Sequence, residues 1–209
     1  VAIGGRQVDM LLVAQKAAKE NLIALSLPDN IDTAHFNAVE GIDKWGEIAI
    51  QATVGRTMPP PHEVELMAEV LTGKVANRHG AEFPGGWYPR KFMGIRIKGA
   101  GEVGHPTLME YHPDTLCEAI RRCICEGGLI QANGRPRAVN RTEANPLHII
   151  YIGNIPLPWE VDEVLPADAI DPDPYWLMAA RGLLPAPSAT KGKHQIVQKV
   201  LPDLFPTED

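Results

Sequence analysis

Prolines constrain this chain more than any other residue type, and they are unevenly placed. Between residues 154 and 209 stand nine of them: Pro156, Pro158, Pro166, Pro172, Pro174, Pro185, Pro187, Pro202 and Pro206. Each removes a backbone donor and fixes φ, so this stretch forbids a central strand and permits only short helices. It is nevertheless unlike a solvated tail. Trp159, Tyr175, Trp176, Leu183, Leu184, Ile196, Val197 and Phe205 all favour burial. Large apolar anchors on a proline-broken chain suggest an extended arm lying against a surface, its own or a neighbour's. The expected organisation is an α+β core domain over 1–153 followed by a Pro-rich arm over 154–209.

Within 1–153 the patterns alternate between helix and strand. Val8, Leu11, Leu12, Ala18, Leu22 and Leu25 recur at helical spacing and predict a helix over 7–25. Asp32 is placed to cap a short helix running to about Glu40. Ile48 to Val54 alternates as a half-buried strand. Pro59-Pro60-Pro61 leads into a helix carrying Val64, Met67, Ala68, Leu71 and Val75 on one stripe. Gly73 or Gly80 would end that helix. Phe92–Lys98 and Thr107–Tyr111 read as strands. Asp114 caps a helix that Gly127-Gly128 should stop near Glu126. Asn133-Gly134 then signals a hairpin, with Pro136 on its edge strand. Leu147–Ile152 is the last expected strand. This order fits an α+β domain better than regular βαβ alternation.

Composition narrows the function classes. The charged fraction of 22% and the apolar fraction of 44% are ordinary for a globular protein. No apolar run approaches the ~20 residues that span a bilayer, and no basic-then-apolar leader is visible. The expected setting is therefore the cytoplasm or a virion, with no membrane contact. Three cysteines, an odd number, argue against a disulfide scaffold. Charge is segregated. Arg90, Lys91, Arg96 and Lys98 form a basic stretch, Arg135, Arg137 and Arg141 a second. Glu160, Asp162, Glu163, Asp168, Asp171 and Asp173 make the start of the arm acidic. Basic middle and acidic arm are electrostatic complements.

Several constellations carry potential chemistry. Gly99-Ala100-Gly101-Glu102-Val103-Gly104 matches Gly-x-Gly-x-x-Gly after a strand. The dinucleotide reading needs a helix to open at once, and His105-Pro106 follows instead. A turned loop between strands is the plainer account. Glu110 and His112 share one face of a strand, which suits acid–base or metal work. Asp114 is better used as a cap, and His105 has the opposite parity. Cys117, Cys123 and Cys125 do not converge on a helix and read as small buried thiols. Serine chemistry has only Ser26 and Ser188, neither in a nucleophile elbow. No motif implies a cofactor or a metal. Arg135, Arg137 and Arg141, with Arg121 and Arg122, suit phosphate contact, and Trp87 and Tyr88 suit stacking.

Three readings follow. The leading one is a structural or assembly subunit of the particle, filament or virion kind. Such a subunit self-associates, or binds another protein, through arm anchors Trp159, Tyr175, Trp176 and Phe205. The second is an enzyme with its site at the Gly99–Gly104 loop, Glu110 and His112. The third is a nucleic-acid-contacting module using an arginine hairpin.

Overall fold

A computed structural model of the chain describes residues 2–3, 5–24, 26–39, 41–76, 86–101 and 104–166. The chain divides into two compact units, Val1–Asp162 and Glu163–Asp209. Only residues 163–166 of the second are among those described, so the arm positions Tyr175, Trp176 and Phe205 lie outside them. The first unit is α+β. It opens with a two-stranded antiparallel pair, β1 (Ala2–Ile3) and β2 (Arg6–Gln7). Then come β3 (Met10–Ala14), α1 (Lys16–Ala24), β4 (Ile31–His35), β5 (Ile50–Val54) and α2 (Pro61–Thr72). An antiparallel pair, β6 (Arg90–Ile95) and β7 (His105–Glu110), precedes the long helix α3 (Thr115–Gly134). The strand β8 (His148–Ile152) follows.

The main sheet is four-stranded, in the order β4-β3-β5-β8, and every pairing in it is parallel. Its register fixes two faces. Leu11 lies across from Gln51, Val13 from Thr53, and Gln51 and Thr53 from Ile149 and Tyr151. Gln51 and Thr53 reach α3: the Gln51 amide donates to the Ala132 carbonyl (2.9 Å) and the Thr53 hydroxyl to Asn133 Oδ1 (2.9 Å). This face therefore carries α3, and the main core lies between them. Leu11, Val13, Ala34, Phe36, Trp45, Ile48, Cys125, Leu129 and Ala132 belong to it. A smaller cluster, Val64, Ala68 and Cys117, seals α2 against α3.

Three expectations are corrected here. The helix expected over 7–25 is a strand, β3, followed by α1. A parallel strand buried on both faces is a continuous apolar run, so Leu11 and Leu12 satisfy helical spacing without forming a helix. The helix expected after Asp32 is strand β4. Asp32 caps nothing; its carboxylate accepts from Trp45 Nε1 at 2.8 Å and pairs with Lys44 at 2.9 Å. The hairpin expected around Asn133-Gly134 is the last turn of α3, which runs straight through Gly127 and Gly128. Packing overrides propensity at this point, since Leu129, Ala132 and Asn133 beyond the glycines are buried on the sheet. The other signals correspond closely. Gly73 takes the left-handed conformation (φ 67°) that closes α2. The Asp114 side chain accepts from the amides of Leu116 and Cys117 and caps α3.

Residues just past 153 are part of the first unit. Ile155 is buried in the main core and Leu157 packs against it. Val161 bridges to Ile97, its amide donating to the Arg96 carbonyl and its carbonyl accepting from Lys98. A chain ending at Asp162 is therefore expected to unfold with the same cooperativity as the full chain. One ending at Asn154 should lose about 2–5 kcal/mol through the missing Ile155 alone, by analogy with large-to-small core changes. Urea denaturation of the two truncations checks this. A second prediction concerns Gly128, where an added Cβ meets nothing within 4 Å. Gly128→Ala should stabilise the protein by about 0.5–1 kcal/mol, the helix-propensity difference, read as a rise in the denaturation midpoint at unchanged slope.

Candidate functional site

The densest set of buried ionisable groups lies where α2, α3, β7 and the segment after β5 meet. Glu110 ends β7 and is buried. Arg56, two residues beyond β5 and past a left-handed Gly55, brings its Nη2 to 2.5 Å from Glu110 Oε2. Arg90 Nε approaches the other oxygen at 3.4 Å. Arg56 also donates to the Asn154 side chain, and Asn154 in turn donates to the Leu108 carbonyl at 2.7 Å. Burial pushes the Glu110 carboxyl up. Its own backbone amide and the Arg56 and Arg90 guanidinium groups more than offset this, so it sits below the usual carboxylate range. It is a committed anion, held between cations.

His112 lies two residues past β7 and is buried. Its Nδ1 accepts from the Asp114 amide at 3.0 Å, which places the ring proton on Nε2. Nε2 faces Glu65 of α2 at 3.5 Å. Tyr88 meets the ring edge-on, and its hydroxyl donates to the Pro59 carbonyl at 2.9 Å. The His112 amide donates to Glu118 Oε2 at 2.8 Å. Glu110 and His112 thus do come from one chain segment, as their spacing suggests. Each takes a different set of partners: Glu110 turns to Arg56 and Arg90, His112 to Asp114 and Glu65.

Arg121 dominates the cluster. It is fully buried, and it forks onto two carboxylates of its own helix. Nε and Nη2 reach Glu118 at 2.7 and 2.9 Å; Nη2 and Nη1 reach Glu126 at 2.8 and 3.3 Å. Burial opposes its charge, but the two carboxylates outweigh that and raise its pKa. Glu118 shows the reciprocal effect: burial pushes it up, while Arg121 and the His112 amide pull it below its ordinary value. The sequence signal for this site was weak. Glu118 and Arg121 have the i,i+3 spacing of an ordinary exposed helical pair, and nothing in that spacing announces a buried one.

The remaining candidates separate. Burial pushes the Cys117 and Cys125 thiols up to about 12, so both are protonated, unreactive side chains. They sit in different clusters, and Cys123 is exposed. Among the described residues no group of three or more His, Cys, Asp and Glu is placed to hold a metal. Gly99 (φ 79°) and Gly101 (φ 67°) turn the chain between the antiparallel strands β6 and β7, and no helix opens after them. Gly104 is required sterically, since a Cβ there would stand 2.9 Å from the Ile95 carbonyl oxygen.

The arginines expected on a hairpin instead follow α3. Arg135 is its C-cap, and Arg137 sits at φ 55° and pairs with Asp43. Arg141 clamps carbonyls, donating to Gly46, Ile48 and Pro136 at 2.7, 2.8 and 3.0 Å. Of the arm anchors, Trp159 is half-buried. Asp162 approaches Lys98 at 3.9 Å with both side chains exposed, a pair worth little. No helix among the described residues is long and apolar enough to cross a membrane. Comparison with protein-family models, curated proteins and solved structures finds no match for this chain.

Two measurements test the cluster. Arg121→Met removes the cation that half-buried Glu118 and buried Glu126 share, leaving Glu126 only the exposed Arg122 at 3.6 Å, and should cost about 3–5 kcal/mol in urea denaturation. The second is pH dependence. Glu118 is depressed in the folded state from an ordinary value of 4.5. Its contribution is fully present above that value and is lost as pH falls through the lower folded value. The Glu118 contribution to stability should therefore be flat above about pH 5.5 and fall below pH 4.5. Glu118→Gln should be less stable at neutral pH and show a shallower acid limb.

Proposed function

We propose that this chain is a structural, assembly-type subunit whose α+β domain packs on neighbouring copies or on a partner protein, its C-terminal arm supplying anchors. The observation that carries this reading is the surface of α2. Leu66, Val70 and Leu71 are 57%, 77% and 72% exposed, and Val75 beyond the helix is 84% exposed. Four large aliphatic side chains on one short segment form the kind of apolar patch that marks an interaction surface. The ionisable groups support the same reading. Glu110 is bonded to Arg56 and Arg90, and Arg121 to Glu118 and Glu126, arrangements that stabilise a fold. The arm adds Trp159, Tyr175, Trp176 and Phe205, aromatics of the type that dominate interfaces. A subunit of this design suits a particle shell, a filament or a virion component.

Size measurement by light scattering is the direct test. The full chain is expected to run as a homogeneous species larger than a monomer, alone or with its partner. Val70→Asp with Leu71→Asp should reduce that size while leaving the melting transition in place, because both side chains already face solvent. Trp176→Ala should weaken the contact more than neutralising any single acid of the arm, since anchors outweigh rim charges. A full chain that stays monomeric and binds nothing rules the proposal out.

A further inference from the structure

Among the described residues no strand pairs with the outer edge of β8, the last strand of the main sheet. Parallel sheets are normally covered on both faces, and exposed edges are usually blunted by lysine, proline or a bulge. The strand β8 has none of these. Its sequence is His-Ile-Ile-Tyr-Ile, and Ile149, Ile150 and Ile152 are 41%, 49% and 43% exposed. The opposite edge, β4, has no exposed residue.

Backbone direction along β8 is set by its pairing with β5. The His148 amide donates to the Ala49 carbonyl, and the Ile152 carbonyl accepts from Gly55. Residues 148, 150 and 152 therefore turn their backbone groups inward. Since direction alternates along a strand, Ile149 and Tyr151 turn theirs to the open edge. Those two residues are symmetric about Ile150. An antiparallel copy of the same strand, related by a two-fold axis at Ile150, would set Ile149 opposite Tyr151 of the second copy, and Tyr151 opposite its Ile149. Both are then hydrogen-bonded pairs, giving four bonds.

Charge also favours a second copy. From Ala144 to Trp159 there is no Asp, Glu, Lys or Arg, and His148 and Tyr151 are the only ionisable side chains. Two copies approaching along this edge bring no like charges together, whereas a charged peptide would find no counter-charge. We infer that β8 is a copy-to-copy interface, pairing antiparallel about Ile150 to join two four-stranded sheets into one of eight strands. This rests on the assembly reading and names a surface for it that is distinct from the arm.

Hydrogen exchange and sedimentation of the full chain test the inference. The Ile149 and Tyr151 amides should be protected in concentrated protein and exchange freely on dilution, while Ile150 stays protected throughout. Ile149→Pro removes only an outward-facing donor and leaves the bonds to β5 intact. It should weaken dimerisation roughly 10- to 100-fold, two hydrogen bonds being lost per dimer. Ile150→Lys, which sets two charges together at the axis, should also weaken it. Should Ile149→Pro fold poorly, the concentration-dependent exchange of the unmodified chain decides alone. Exchange at Ile149 and Tyr151 that ignores concentration overturns the inference. So does self-association that is unaffected by Ile149→Pro yet abolished by Trp176→Ala; that result leaves assembly through the arm standing.

Discussion

A fully buried guanidinium must have every donor direction answered, and in this protein that requirement falls on Arg121. Its fork is filled by Glu118 on one side and Glu126 on the other. Glu118 has a second obligation, the amide of His112. His112 then faces Glu65. One charged side chain in α3 is linked in this way to the turn after β7 and to α2. Rotating α3 would carry Arg121, Glu118 and Glu126 together, so what ties this cluster to the rest of the fold is the bond from the His112 amide to Glu118, which such a rotation would break. The network fixes orientation, while the apolar contacts of Leu129 and Ala132 supply most of the burial energy.

The same logic recurs at the other end of α3. Gln51, Thr53 and Asn133 form a buried hydrogen-bonded group between β5 and the helix, and Asn133 also donates to Leu129 of its own helix. Polar residues on the inner face of a parallel strand are costly unless paired. Paired, they set the register of the helix on the sheet. So α3 is held by a charged network at its first half and a neutral one at its end, with two glycines between. The glycines are tolerated because both flanks are anchored.

How much of this was legible in the sequence depends on whether the signal was local. The Asp114 cap, the Pro60-Pro61 start of α2, the Gly73 stop and the strands β5, β6, β7 and β8 all rest on residues within a few positions of one another. They were readable to within three residues. The first 25 residues were not, because Met10 to Ala14 is apolar at every position and satisfies either period. Asn133-Gly134 failed for a different reason. Its turn preference is a fraction of the energy gained by continuing α3 onto the sheet, and that gain depends on strands 80 residues away in sequence.

Glu110 and His112 show the limit of reading a site from residue types. The pair was conspicuous because carboxylate and imidazole stood two apart on a strand. What decides their chemistry is Arg56, 54 residues earlier, which holds Glu110 as an anion, and the Asp114 amide, which fixes the His112 tautomer. A general base needs an acceptor free to take a proton and room for the group that gives it up. Here the acceptor oxygens are spent on guanidinium groups and the imidazole nitrogen on a backbone amide. Through these contacts Glu110 and His112 tie the end of β7 to the segment after β5, to β6 and to α2. Among the described residues, α2 and β8 are two elements that leave several large aliphatic side chains exposed.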